Sequence, residues 1–168
     1  MKRSILALMR IAVASDHAGF RLKEELVPVI RFLGHEVIDA GTHGTESVDY
    51  PDYAVAGCQV VLRGDAERAI LLCGSGVGMS VVANKLPGIR AANIEDVYSA
   101  HQGVEHDDMN VLVLGGRTVG AAVAADLVRA FLSASYTGEP RHARRLQKLL
   151  EVEAHPERFV PTPSPTAA

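Results

Sequence analysis

Arg68-Ala69-Ile70-Leu71-Leu72-Cys73-Gly74-Ser75-Gly76-Val77-Gly78-Met79-Ser80 is the stretch on which the fold turns. After Arg68 its first half is wholly apolar, as a central strand buried on both faces of a parallel sheet requires. The second half is a Gly-rich turn, Gly74 to Gly78, leading into a helix from about Met79 to Lys85. A buried strand that runs through glycines straight into a helix is half of a βαβ unit.

The same grammar repeats outward in both directions. Upstream, Pro51 suits the first turn of a helix that runs to about Arg63. A polar loop precedes it over residues 40–50, and Glu36-Val37-Ile38 reads as a strand. Before that, Phe20, Leu22, Leu26, Val29, Ile30 and Leu33 fall at helical spacing, which predicts a helix over Ala18–Leu33. Pro28 inside it predicts a kink, and Gly34 is a natural C-cap. Ile11-Ala12-Val13-Ala14 is the first strand. Downstream, Pro87-Gly88 is a turn and Ile89–Ile94 a strand. A helix over about Asp96–Gln102 and a strand over Asn110–Leu114 follow. An Ala-rich helix, Val119–Ser133, and a polar amphipathic one, Pro140–Glu153, complete the pattern. Five strands alternating with helices predict an α/β protein: a three-layer α/β/α Rossmann-like fold with a five-stranded parallel sheet. Residues 10–153 would form a single domain. Residues 1–9 read as an N-terminal extension, either an extra arm or a stretch ahead of an alternative start at Met9. Residues 154–168 read as a Pro-rich flexible tail.

Composition narrows the function. The chain has 168 residues, 48% apolar and 22% charged, with a formal charge of −3. That balance fits a soluble globular domain and argues against nucleic acid as a partner, which calls for a basic surface. No apolar run is long enough to cross a membrane, so no membrane partner is expected. Two cysteines, Cys58 and Cys73, are too few for a disulfide framework, and a reducing, cytoplasmic setting is the simplest reading.

In open parallel sheets ligands bind outside the carboxyl ends of the strands. The first strand ends in Asp16 and His17. Asp16 can be a plain N-cap or a functional carboxylate, and His17 at a helix start suits an anion. The central strand ends in Cys73 and the loop Gly74-Ser75-Gly76-Val77-Gly78. Its spacing is G-x-G-x-G, not the dinucleotide fingerprint, and no acidic residue closes the next strand. Both points argue against a nicotinamide cofactor. A thiol just before a helix is favoured as the thiolate, so Cys73 is a candidate base or nucleophile, or else a small core residue. Cys58, among Val55, Val60 and Val61, reads as core packing. His101 to Asp108 is rich in His and acids but lacks metal-ligand spacing, so no metal is expected and His106 stands as a single functional imidazole. Arg141 and Arg145 share a helix face that suits a phosphate or is simply solvated.

Taken in order, several segments resemble one family. They are Ser15-Asp16-His17-Ala18-Gly19-Phe20, Asp49-Tyr50-Pro51, Cys73 to Gly78, Ala83-Asn84-Lys85, Gly88-Ile89-Arg90-Ala91, Asn110-Val111-Leu112 and the Arg141/Arg145 pair. From about Arg10 to Glu153 the chain is similar to type-B ribose-5-phosphate isomerases and their relatives acting on galactose 6-phosphate, allose 6-phosphate and erythrulose 4-phosphate. The resemblance implies a cofactor-independent aldose–ketose isomerase. It implies Cys73 as the base, Ser75 as an aid to proton transfer between substrate oxygens, and Asp16 with His106 as the groups that open the sugar ring. It implies that amides of Gly74, Gly76, Val77 and Gly78 hold the enediolate, and that Tyr50 lines the sugar site. His17, Arg141, Arg145 and Arg117 would bind phosphate. The family pattern also implies a homodimer or homotetramer with a site shared between subunits. Asp107 departs from it, standing where many members carry Asn. A carboxylate only accepts hydrogen bonds, so Asp107 would contact hydroxyl hydrogens and the substrate preference is left open. Two other readings follow: the same chemistry on a four- or six-carbon phosphosugar, or a non-catalytic sugar-phosphate-binding subunit.

Overall fold

A computed structural model describes residues 8–158. The expectations for most of the N-terminal extension and of the tail lie outside the described residues. The strands are β1 (Arg10–Ser15), β2 (Glu36–Asp39), β3 (Arg68–Cys73), β4 (Ala91–Asn93) and β5 (Val111–Gly115). The helices are α1 (Phe20–Phe32), α2 (Tyr50–Leu62), α3 (Val77–Ala83), α4 (Val97–Asp107), α5 (Ala121–Ser133) and α6 (Pro140–Ala154). All strand pairings are parallel, in the order β2-β1-β3-β5-β4. The sheet is the middle of three layers, as expected.

Side chains alternate along the central strands and so build two cores. Ile11, Val13, Ile70, Leu72, Leu112 and Leu114 face Leu26 and Ile30 of α1 and Leu127 and Phe131 of α5. Ala12, Ala14, Ala69, Leu71, Val111 and Val113 face Ala54 and Cys58 of α2 and Met79 of α3. The small alanines on this second face let α2 sit close. Leu71 is wholly buried between the layers, so truncation to Ala should cost about 2–5 kcal/mol. Among the described residues no helix is long and apolar enough to cross a membrane.

Local chemistry explains where the elements differ from expectation. α1 starts at Phe20, not Ala18, because Asp16 Oδ1 accepts the N–H groups of both Ala18 and Gly19 at 2.9 Å and holds them in a turn. It continues through Pro28, which lies on the exposed face. β4 is shorter than expected, and on its outer side Asn84 imitates a strand: its side chain accepts from Ala91 N–H, at 2.9 Å, and donates to Ala91 O, at 2.8 Å. α4 runs past Gln102 to Asp107. Asp96 caps it by accepting Ser99 N–H at 2.8 Å, and Asp108 ends it in the left-handed region at φ 51°.

One buried charge fixes the loop after β2. Lys23 of α1 is fully buried, and its Nζ donates to Asp39 Oδ1 and Oδ2 at 2.7 and 2.9 Å and to Thr42 O at 2.7 Å. An ammonium in such a place persists only when its three donors are satisfied.

Candidate active site

The carboxyl ends of β1, β3 and β5 meet. Asp16 N–H donates to Leu72 O at 3.1 Å, Gly116 N–H to Cys73 O at 2.7 Å and Arg117 N–H to Gly74 O at 2.9 Å. These bonds knit three strand ends around a cleft of about 390 Å³. Asp16, His17, Tyr50, Cys73, Ser75 and Arg117 line it, with Gly74 and Gly78 in its wall. Ligand pockets run from about 300 to 1,000 Å³, so the cleft suits a small, polar ligand.

Each side chain here is set by the backbone. Cys73 is 5% exposed, and its Sγ accepts the Gly76 N–H at 3.2 Å. Gly76 sits at φ 82°, a conformation only glycine adopts readily. Asp16 is not the N-cap of α1, a place taken by Gly19; its carboxylate holds the turn before the helix and also lines the cleft. Its two bonds go to Oδ1, which leaves Oδ2 for a ligand among the described residues. His17 Nδ1 lies 3.2 Å from Val48 N and 3.3 Å from Val48 O. If Nδ1 accepts from the Val48 N–H, the proton resides on Nε2, which becomes a donor suited to an anion. The Tyr50 ring lies on Gly78 so closely that an added Cβ would fall 2.6 Å from it. Arg117 passes over Gly74. Ser75 and Arg117 are exposed at the mouth, and Val77 opens α3 beside it.

His106 and Asp107 are elsewhere. α4 leaves the carboxyl end of β4 and returns to the start of β5, so its last turn lies at the opposite rim of the sheet. Its 11 residues alone span about 16 Å. There the His106 ring stacks on His142 of α6, with centroids 3.9 Å apart. Gln102 Nε2 lies 2.6 Å from His106 Nδ1. His142 is buried, and its pKa is lowered first by burial and then by His106 and Arg141. Arg141 Nε donates to Glu139 at 3.0 Å and to His142 Nε2 at 3.1 Å. Arg145, one turn on, is exposed. His106 lines a groove of about 670 Å³ with residues of α4 and α5, and Asp107 one of about 930 Å³ beside β4. One chain therefore does not bring His106, Asp107, Arg141 and Arg145 to Cys73.

Some neighbours carry little signal in the sequence. Thr118 lines the cleft, in the turn that follows β5. Its one signal is its place after Gly115-Gly116-Arg117, at a strand end. Asn93 closes β4 and bonds to the glycine loop at Ser75 O. Among the described residues no three His, Cys, Asp or Glu side chains converge as metal ligands would.

The matches to known proteins cover the same region. A family model described as Ribose/Galactose Isomerase matches residues 11–149. A protein of Escherichia coli strain K12 named ribose-5-phosphate isomerase B is 43% identical over 146 residues, 87% of this chain and 97% of that protein. One of Mycolicibacterium smegmatis, named D-erythrulose-4-phosphate isomerase 2, is 35% identical over 148 residues, 86% of this chain and 97% of that protein. The structure of a Clostridium thermocellum ribose-5-phosphate isomerase B superposes with a TM-score of 0.84 at 46% identity, over 87% of this chain and 98% of that one. With a family model across most of its length and relatives of this identity, the chain belongs to the ribose/galactose isomerase family.

Proposed function

We propose that this sugar-phosphate isomerase interconverts ribose 5-phosphate and ribulose 5-phosphate through a cis-enediolate, with Cys73 as the base. The observation that carries the reading is the Cys73 sulfur in the wall of the cleft, with a main-chain N–H on it. In the open-chain aldose the thiolate removes the C2 proton, and the electron pair moves through the C1–C2 bond onto O1. Amides of the Gly74–Gly78 loop stabilise that oxygen, each donor being worth about 2.7–4 kcal/mol; Gly76, expected among them, is not one, because its N–H is held on the Cys73 sulfur. Ser75 carries the O2 proton to O1, and the thiol returns its proton to C1. Protons and electrons balance within the sugar, so no cofactor enters.

The rest of the site follows from charge and reach. Asp16 and His106 open the furanose ring. His17 and Arg117 bind the phosphate from the cleft side, and Arg141 and Arg145 from the other. Because His106 and both arginines lie at the far rim of their own chain, they serve the cleft of a second copy in a homodimer or homotetramer. A non-catalytic binding subunit would need neither the sulfur nor its amide.

Asp107 and the 35% identity to an erythrulose-4-phosphate isomerase favour a second substrate reading, a four-carbon phosphosugar. The test is kcat/KM across phosphorylated aldoses and ketoses of four to six carbons, for wild type and Cys73→Ala. Ribose 5-phosphate should rank first, and Cys73→Ala should be inactive on all. Near-normal turnover by Cys73→Ala would remove the mechanism. Erythrulose 4-phosphate ranking first would replace the substrate.

A further inference from the structure

We infer that Asn93 is a positioning residue that holds Cys73 in its reactive form by fixing the orientation of a single peptide unit. Asn93 is the last residue of β4, and its Nδ2 donates to Ser75 O at 3.0 Å. That carbonyl and the Gly76 N–H belong to the same peptide, and the Gly76 N–H donates to Cys73 Sγ at 3.2 Å. A peptide is planar, so pinning its oxygen aims its N–H. Asn93 thus acts on the sulfur without touching it, through a rigid unit two bonds long.

The unit needs such a pin. Gly76 sits at φ 82°, and glycine also tolerates the backbone conformations on the other side of a peptide flip. A flip of the 75–76 peptide would turn its carbonyl oxygen towards the sulfur and carry the N–H away. An oxygen dipole beside a thiolate disfavours the charge, and a lost N–H removes its donor. Asn93 opposes the flip because the flipped carbonyl would leave its amide unbonded.

The second half of the Asn93 amide fits this role. Oδ1 is buried and has no partner among the described residues. It lies against Gly76, where an added Cβ would collide with it. Exchanging the amide O and N would set Oδ1 against Ser75 O, two acceptors without a hydrogen between them, so the orientation is fixed. A side chain kept solely to fill space would not leave a carbonyl unpaired, since an apolar residue of the same shape avoids that loss. The Nδ2 bond to Ser75 is what the amide supplies.

The inference rests on Cys73 as the base, and it is tested apart from turnover. The readout is the rate of iodoacetamide modification of Cys73 against pH, followed by peptide mass spectrometry in wild type, Asn93→Leu and Asn93→Asp. Both variants keep the size of the side chain and remove the donor, and Asn93→Asp stands in if Asn93→Leu fails to fold. The pH midpoint of modification should move up by about one unit or more, as loss of a hydrogen bond to a charged group implies. At neutral pH kcat should fall about tenfold while KM for the phosphosugar holds, and the loss should shrink as pH rises. A modification profile that superimposes on wild type in a folded variant overturns the inference, whatever happens to kcat. If instead the midpoint moves but Cys73→Ala still turns over, the peptide device stands and the assignment of the base fails.

Discussion

The two rims of the sheet hold the same kinds of side chain in different ways. At the carboxyl rim, Cys73, Asp16 and His17 are each bonded to main-chain atoms of the strand ends and their turns. Their positions are consequences of the parallel sheet itself, and one chain suffices to set them. At the amino rim, His106, His142, Arg141 and Glu139 hold one another, side chain to side chain, on the ends of α4 and α6. Arg141 and Arg145 remain exposed. The first rim brings a sulfur, a carboxylate and loop amides together, as the oxyanion chemistry proposed above requires. The second is a charged surface, for which we propose a target on a second copy of the chain. The difference separates what the fold enforces from what the proposed assembly would complete.

The largest expected effect lies at the first rim. Cys73→Ala should lower kcat by about 10³-fold or more, within the range for loss of general-base catalysis. Cys58→Ala should leave turnover near wild type, because Cys58 is fully buried in the core and burial pushes its thiol up to about 11. Turnover measured on both variants sharpens the contrast, and equal losses would break it.

Next in size is the support beneath that rim. Asp39→Ala would leave the Lys23 ammonium buried with Thr42 O as its remaining partner, which should cost about 3–5 kcal/mol in denaturant unfolding. The loop after β2 would loosen with it, so catalysis should suffer in the fraction that remains folded.

At the second rim, Arg141→Lys and Arg145→Lys keep the charge and lose the planar fork. Each should raise KM by about tenfold with a smaller change in kcat, as loss of a charge-assisted hydrogen bond to phosphate implies. Steady-state kinetics with the phosphosugar checks this. An unchanged KM would mark the pair as a solvated face.

The smallest effect is a slope. The His142 imidazole is held below its ordinary range by burial and by the neighbouring His106 and Arg141, and His35 is held low by burial and then Arg68. The unfolded chain takes up these protons near pH ~6.5 while the folded chain resists, so stability rises with pH there and is lost on acidification. Melting temperature followed from pH 7.5 to about 5.5 should fall, and His142→Gln with His35→Gln should flatten that fall.

Much of this was legible in the sequence where the cause is local. The run 68–72 and its glycines read directly as a buried strand and a donor loop, and Asp16, His17 and Cys73 follow from being at strand ends. The sequence predicts too short an α4 because Gly103 and the polar residues around Val104 interrupt its apolar pattern, and its C-cap is Asp108 in a conformation usually left to glycine. That pattern puts His106 and Asp107 ahead of β5 without the helix that carries them to the far rim. Lys23 looks like a solvent-facing residue of an amphipathic helix, since its partners Asp39 and Thr42 arrive from another element. Asn93 gives no signal in one dimension: its effect passes through a peptide 18 positions away.

Mixing two crippled variants tests the division between the rims most directly. Cys73→Ala and His106→Ala would each be close to inactive alone. In a mixed dimer one cleft collects both lesions and the other has neither. After subunit exchange at equal amounts, activity should rise to about a quarter of wild type, from half the dimers carrying one sound site of two. Activity that stays at the level of the parents, with mixed dimers present by native mass spectrometry, would contradict the account.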